Sequence, residues 1–269
     1  GYIDVMVAYY NTLSYYFMVR ALRELENRTY FYAFSLALGV SLLTKYTAFS
    51  LPVSLVLTSL VLKVGSHIRR DRRIWHYSLI MDGAVIISVM ICLPWLFRNY
   101  ILLGNPVYPW FYEVFGGRGI DRHVMGLIKG RPFPLEELLY DTTLTSLANS
   151  DIGYTILSLT PLGLLFIIVK SRNTILKVVA IASIVQFSIL FLGISLVYGH
   201  ERYLLAVIPM LALISGYCLI ALITYPDISL KTLALTCIIL FSIPSFSFLV
   251  QISFTGPPIY ETEYLKPIG

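Results

Sequence analysis

Ionisable side chains are sparse in this sequence, and several of them stand where a long apolar run begins or ends. Asp4 opens the first apolar run, Lys45 separates two others, and Arg98 closes the next one. A carboxylate can accept the proton of a hydroxyl group, and a lysine or an arginine can bind a phosphate. These residue types therefore point to a site for a phosphate and a hydroxyl group.

Asp4 and Lys45 each allow two interpretations. Asp4 either binds a hydroxyl group, a metal ion or an acceptor molecule, or it caps an interfacial helix whose dipole favours a carboxylate. Lys45 is either a cation directed at a phosphate or a lysine whose ammonium group snorkels to the membrane edge. A snorkelling lysine usually flanks a helix, whereas Lys45 and Tyr46 lie within a short turn, and both interpretations stay open.

Further polar residues follow the later apolar runs. Arg98 offers a planar fork for a phosphate, or it anchors the chain against lipid headgroups. Asn105 and Tyr108 each precede a proline, which is typical of residues that shape a turn. The charged run 200–203 either binds a phosphate through its arginine or forms a solvated tip with an internal ion pair. The candidate binding residues are Lys45, Tyr46, Arg98, Asn99, Asn105, Tyr108, His200, Glu201, Arg202 and Tyr203.

The composition indicates that lipid surrounds most of the chain. Of 269 residues, 57% are hydrophobic and 13% are charged. A soluble domain has about 25% charged residues. The net charge of +5 does not indicate nucleic-acid binding, because the basic residues stand in short loops between apolar runs. The cysteines Cys92, Cys218 and Cys237 have neither metal nor disulfide spacing and suit the small side chains of a membrane core.

Apolar runs of membrane-spanning length predict an all-α fold, namely a polytopic transmembrane helical bundle of about eight spans. Residues 1–250 form the predicted core, with one longer external loop at 97–151, and residues 251–269 form an external tail. Within the loop, residues 135–140 predict a short amphipathic helix on the membrane surface. The second and third spans form either a tight hairpin or one broken helix. The predicted spans are 4–22, 29–44, 47–63, 76–96, 152–169, 177–198, 203–224 and 232–250.

Lysine and arginine are concentrated in alternate loops, and this pattern predicts the orientation of the bundle. The basic loops, which are expected on the cytoplasmic side, fall at 20–28, 63–73, 170–177 and 231. Lys45, Arg98 and Arg202 then share the external side with Asp4. A lipid phosphate fits this arrangement, because its charge stays near the headgroups while its tail lies between helices.

Four runs, taken in order, resemble a known family. They are GYID at 1–4, LGVSLLTKYT at 38–47, PWLFRNYILLGNPVYP at 94–109 and ERYLLAVIP at 201–209. They look like the membrane-embedded glycosyltransferases of the GT-C fold, specifically the family 39-like group that includes protein O-mannosyltransferases and lipid A aminoarabinose transferases. The run at 94–109 is fairly specific, and the other three gain weight from their order.

The resemblance implies an inverting hexosyltransferase of the cell envelope, multi-pass in the cell membrane. Its sugar would move from a polyprenyl- or dolichyl-phosphate donor, dolichyl phosphate mannose being one example, to a protein, lipid or glycan acceptor on the outer face. Asp4 would match the family's second acidic position, and Lys45, Arg98 and Arg202 would contact the donor phosphate. The main catalytic base is expected upstream of Gly1, so the chain is expected to be N-terminally truncated and inactive without that base.

Metal use and two other functions stay open at this stage. Some enzymes of this group use a divalent metal ion, although the sequence offers no ligand cluster for one. A non-catalytic lipid-linked-sugar translocase or polymerase partner would share the architecture, as would a structural membrane subunit with charges as anchors. A proton-coupled translocase needs ionisable residues near the middle of its spans. Asp82 is the only acidic residue well inside an apolar context, and this scarcity favours the enzyme.

Overall fold

The computed structural model describes residues 2–108, 112–118, 154–197, 201–224 and 232, and these residues form helices and connecting turns without a strand. Short 3-10 helices at Tyr46–Phe49 and Glu201–Ala206 precede α3 and α8. The α-helices are α1 (Tyr2–Arg23), α2 (Arg28–Thr44), α3 (Ser50–Arg69), α4 (Arg72–Leu103), α5 (Tyr112–Phe115), α6 (Tyr154–Lys170), α7 (Thr174–Val197) and α8 (Ile208–Thr224).

Three helices of the described part are long and apolar enough to cross a membrane, namely Tyr46–Ile68, Arg72–Leu103 and Thr174–Leu192. Shorter apolar helices occupy Leu159–Lys170 and Ile208–Thr224. The all-α fold class is therefore confirmed for the described residues, and membrane association is supported. Helices occur at the first seven predicted spans, while the span 232–250, apart from Thr232, and the surface helix 135–140 lie outside the described residues.

α4 is long enough and apolar enough to cross a lipid bilayer. Its 32 residues extend about 48 Å at 1.5 Å per residue, which exceeds the hydrocarbon thickness of about 30 Å. Trp75 and Trp95 are separated by a rise of about 30 Å, and tryptophan favours the membrane–water interface. The spacing of the two tryptophans therefore matches the thickness of a hydrocarbon layer.

The helix that contains the fourth predicted span, 76–96, extends further than the sequence predicts. It continues through Arg98 and Asn99 and ends at Gly104, whose φ of 75° is left-handed and whose N–H donates to the Tyr100 carbonyl at 2.9 Å. Pro94 lies inside the helix without ending it. No helix breaker stands between Pro94 and Gly104, so α4 continues as one helix to Leu103.

Lys45 is where the chain reverses between α2 and α3. Its backbone is extended, with φ −164° and ψ 151°, and the 3-10 helix Tyr46–Phe49 follows it directly. The second and third predicted spans are thus separate helices joined by a tight turn. They are therefore not one broken helix, and each packs against α4 rather than against the other.

Close packing at glycine defines how α2 and α4 run relative to each other. Gly83 lies against Phe31, and Gly39 lies against Ile91. From one contact to the next the residue number rises in both helices, so α2 and α4 run parallel. α3, which lies between them in the sequence, runs in the opposite direction. A cleft at the far end is lined by both Arg73 and Arg172, which agrees with the prediction that these two basic loops share a side.

We expect Gly163→Ala in α6 to lower the free energy of unfolding by about 1–3 kcal/mol, because overpacking forces the backbone to move. A Cβ at this position would lie 2.5 Å from the Ile214 carbonyl oxygen and 2.9 Å from the Ile214 Cγ2. Gly216→Ala is the matched control, since its Cβ would meet nothing within 4 Å. Thermal unfolding in detergent micelles measures both variants, and equal midpoints would contradict the close α6–α8 contact.

Candidate functional site at the Asp4 end

Asp4 and Lys45 form an ion pair at one end of the bundle. Asp4 lies in the first turn of α1 and is 6% exposed, and the Lys45 Nζ donates a hydrogen bond to the Asp4 Oδ1. The extended backbone of Lys45 directs its side chain across the start of α1. Two residues that the sequence assigned to separate roles are therefore direct neighbours, and each neutralises the other's charge in a mostly buried place.

Tyr46 joins this turn to the end of α4. Its hydroxyl donates to the Tyr108 carbonyl, its ring lies 5.3 Å from the Trp95 ring, and it forms a side-chain hydrogen bond with Asn99. Trp95 and Asn99 are four positions apart and therefore share one face of α4. This face is held against the Lys45 turn. We refer to the end of the bundle that carries Asp4, Lys45 and Tyr108 as the Asp4 end.

Asn105 uses both polar atoms of its side chain to shape the turn after α4. It is fully buried, its Oδ1 accepts a hydrogen bond from the Val107 N–H at 2.9 Å, and its Nδ2 donates to the Gly116 carbonyl at 3.1 Å. These bonds fix the path that presents the Tyr108 carbonyl to Tyr46. Asn105 therefore shapes this turn, and its role as a binding residue stays a prediction.

Arg98 is a predicted binding residue that is not bonded to the Asp4–Lys45 pair within the described residues. Its side chain is exposed. It follows Trp95 by three positions and projects from a different side of α4 than Asn99. The other predicted binding residues, His200, Glu201, Arg202 and Tyr203, have side chains that fall outside the described part of the chain.

The 3-10 helix Glu201–Ala206 nevertheless packs against the start of α1. Leu204 and Val207 are buried together with Val7 and Ala48 in one apolar cluster. Val7 stands three positions after Asp4, and Ala48 three positions after Lys45. The segment that carries Arg202, a predicted phosphate contact, is therefore docked at the same end as the ion pair. The side chain of Arg202 is outside the described part of the chain.

Asn11 is a buried polar residue that is not among the candidate residues predicted from the sequence. It is 1% exposed, its Nδ2 donates to the Ala206 carbonyl at 3.2 Å, and its Oδ1 accepts from the Ser41 hydroxyl at 2.7 Å. One amide thus links α1, α2 and the 3-10 helix Glu201–Ala206. The sequence does contain a signal for this contact, namely an asparagine inside an apolar helix. A buried amide needs hydrogen-bond partners, and a neighbouring element has to supply them.

A second buried polar chain lies deeper in the bundle. The Tyr15 hydroxyl donates to the Gln186 Oε1 at 3.1 Å, and the Gln186 Nε2 donates to the Ser50 Oγ at 3.2 Å. Tyr15 is 2% exposed and Gln186 is fully buried. The chain fixes α7 against α1 and α3, below the candidate site, and keeps its polar atoms satisfied.

An apolar groove of about 620 Å³ runs along the C-terminal end of α4. Leu93, Phe97 and Tyr100 line it, with Pro106 from the following turn. At 100° per residue these three side chains lie opposite the face of Trp95 and Asn99. The groove and the ion pair therefore lie on opposite sides of the same helix.

Neither a metal centre nor a relative defines the chemistry of this end. Among the described residues, no group of three or more His, Cys, Asp or Glu side chains is placed to hold a metal ion. Comparisons with protein-family models, with curated proteins and with solved structures find no match. The resemblance to GT-C glycosyltransferases therefore stays a prediction that its sequence runs alone carry.

Proposed function

We propose that the chain is part of an integral membrane glycosyltransferase that moves a sugar from a polyprenyl-phosphate or dolichyl-phosphate donor to an acceptor outside the membrane. The observation that carries the proposal is the Asp4–Lys45 ion pair, which places a carboxylate and a cation side by side at one end of an apolar bundle. Glycosyl transfer from a lipid phosphate needs both types of group, one near a hydroxyl and one near the leaving phosphate.

The depth of the pair fits a lipid phosphate. Lys45 is followed by Tyr46, whose ring contacts Trp95 at the outer edge of the apolar layer. A donor headgroup at that level reaches the Lys45 ammonium while its isoprenoid chain stays among apolar side chains. Asp4, beside Lys45, then lies near the hydroxyl groups of the sugar or of the acceptor.

In the proposed reaction Lys45 stabilises the negative charge that develops on the leaving phosphate. Asp4 orients a hydroxyl of the donor sugar or the acceptor, and a further carboxylate serves as the main base. The bond from the anomeric carbon to the phosphate oxygen breaks as the acceptor oxygen attacks from the opposite face, and the acceptor proton passes to the base. Arg98 and Arg202 are the additional proposed phosphate contacts.

The proposal includes a bundle of about eight spans in the cell membrane, with the basic loops in the cytoplasm. The parallel course of α2 and α4 supports the alternating path that such a bundle needs. The Asp4 end then faces outward, where lipid-linked sugars meet their acceptors.

We expect the purified full-length protein to consume a polyprenyl-phosphate hexose in detergent micelles when an acceptor fraction is present. Mass spectrometry would detect the free polyprenyl phosphate that inverting transfer releases, and protein, lipid and glycan fractions would be supplied separately. Micelles have no second compartment, so a translocase leaves the donor intact there. If the donor stays intact in micelles but crosses the bilayer of proteoliposomes, the enzyme proposal is wrong and the protein is a translocase.

A further inference from the structure

A cleft of about 200 Å³ lies at the basic end of the bundle, far from Asp4, between the start of α4 and the start of α7. The candidate site makes no use of it. Ile74, Tyr77 and Ile175 provide its apolar wall. The polar residues that line it are Asp71, Arg73, Arg172, Asn173 and Thr174.

The cleft carries a net positive charge from two guanidinium groups and one carboxylate. The Asp71 Oδ1 accepts from the Arg73 and Ile74 N–H groups at 2.9 and 3.4 Å, so this carboxylate caps α4. Arg73 lies 5.8 Å from the centre of the Tyr77 ring. Within the described residues, neither Arg73 nor Arg172 forms an ion pair. The cleft therefore presents two cations whose charge no acidic side chain of the described part pairs with.

The depth of the cleft is that of lipid headgroups. Trp75, two positions after Arg73, is 45% exposed and marks the near edge of the apolar layer. Ile68 and Val169, which stand close in sequence to the two loops, are 75% and 63% exposed. Acyl chains can lie along such apolar surface while a headgroup occupies the cleft.

We propose that this cleft binds the phosphate of an anionic glycerophospholipid of the phosphatidylglycerol type. The two arginines offer the planar forks that match phosphate oxygens. A bound phosphate would join the α3–α4 link to the α6–α7 link and so fix the basic end of the bundle. This inference is independent of the proposed transfer reaction, because it concerns the opposite end of the molecule.

The test measures the binding of short-chain phosphatidylglycerol to the full-length protein in neutral detergent. Native mass spectrometry counts the bound lipid, and the unfolding midpoint reports the stabilisation that binding causes. We expect phosphatidylglycerol to bind at least tenfold more tightly than phosphatidylcholine. The double variant Arg73→Gln/Arg172→Gln is expected to reduce phosphatidylglycerol affinity about tenfold or more, because each charge-assisted bond is strong.

The control variant Arg23→Gln/Arg28→Gln removes the same charge from the same end, outside the cleft, and is expected to leave affinity within twofold of the unchanged protein. Arg73→Lys/Arg172→Lys keeps the charge but lacks the planar guanidinium group. Its affinity for phosphatidylglycerol is expected to lie between the affinities of the two glutamine variants. Equal losses in both glutamine variants would overturn the proposal in favour of a diffuse surface charge. Inorganic phosphate that stabilises the protein as much as phosphatidylglycerol would overturn the lipid as the ligand.

Discussion

Asp4→Asn is expected to reduce sugar transfer by about 100-fold or more and to destabilise the protein. The activity falls because Asp4 no longer orients the hydroxyl group of the sugar or the acceptor, and a misplacement of about 1 Å can cost about 100-fold in rate. Stability falls because the Lys45 ammonium loses its partner at a site where Asp4 is only 6% exposed. Breaking a buried pair costs about 3–5 kcal/mol, and the 24% exposure of the Lys45 side chain reduces that to about 1–3 kcal/mol.

The double variant Asp4→Asn/Lys45→Gln separates the two effects. Neutralising both partners removes the unpaired charge, so we expect most of the lost stability to return. Transfer is expected to stay low, because neither the carboxylate nor the cation is restored. Unfolding midpoints and donor consumption, both measured in the same micelles, complete the cycle with the two single variants.

The ion pair Lys63–Asp82 provides a matched control. Its Nζ–Oδ2 distance is 2.5 Å, and its side chains are 30% and 25% exposed. Asp82→Asn is expected to lower stability by a comparable amount while leaving transfer within about twofold, because this pair lies between α3 and α4 away from the Asp4 end. Full recovery of transfer in Asp4→Asn/Lys45→Gln would assign the Asp4 pair a structural role and remove it from the proposed site.

The sequence predicted the helices more reliably than their contacts. Apolar runs reveal helices because a membrane-spanning segment has to be apolar along its length. The sequence predicts too early an end for α4, because polar residues begin at Arg98 and Asn99. Polarity marks the edge of the lipid layer, whereas Gly104 ends the helix, and these two positions differ when a helix extends beyond the membrane.

The pairing of Asp4 with Lys45 illustrates what charge patterns leave undetermined. Alternating loops assign both residues to one side, but many arrangements of helices satisfy the same alternation. Their contact depends on the extended backbone at Lys45 and on the close packing of α1 with α2. Both features arise from tertiary structure, so no pattern in the sequence indicates a direct ion pair.

The contacts of Asn11 are a second feature that the sequence does not predict. The partners of the Asn11 side chain are a backbone carbonyl at Ala206 and the hydroxyl of Ser41, and neither belongs to a recognisable motif. A search for titratable residues passes over such an amide. The physical signal is general, however, because an amide in an apolar helix is expensive unless a neighbouring helix supplies its partners.

The second large effect is expected for Asn11→Leu, which should loosen the 3-10 helix Glu201–Ala206 from α1 and lower transfer by about tenfold or more. The leucine keeps the volume of the side chain but leaves the Ala206 carbonyl and the Ser41 hydroxyl without their bonds. An unsatisfied buried group costs about 1–3 kcal/mol, and the apolar cluster of Val7, Leu204 and Val207 is expected to hold the segment less firmly. The donor-phosphate contact proposed for Arg202 depends on this docking.

Hydrogen exchange of the amides at 204–211, measured by mass spectrometry, tests the docking directly. Ser14→Ala is the matched control, because Ser14 is as buried as Asn11 but its hydroxyl donates only to the Tyr10 carbonyl of its own helix, at 2.7 Å. We expect faster exchange in Asn11→Leu and unchanged exchange in Ser14→Ala. Since the Val207 and Met210 N–H groups already have backbone acceptors, at 2.9 and 3.0 Å, faster exchange there requires the segment itself to open. Unchanged exchange in Asn11→Leu would mean that apolar packing alone holds the segment, and any loss of transfer would then need another cause.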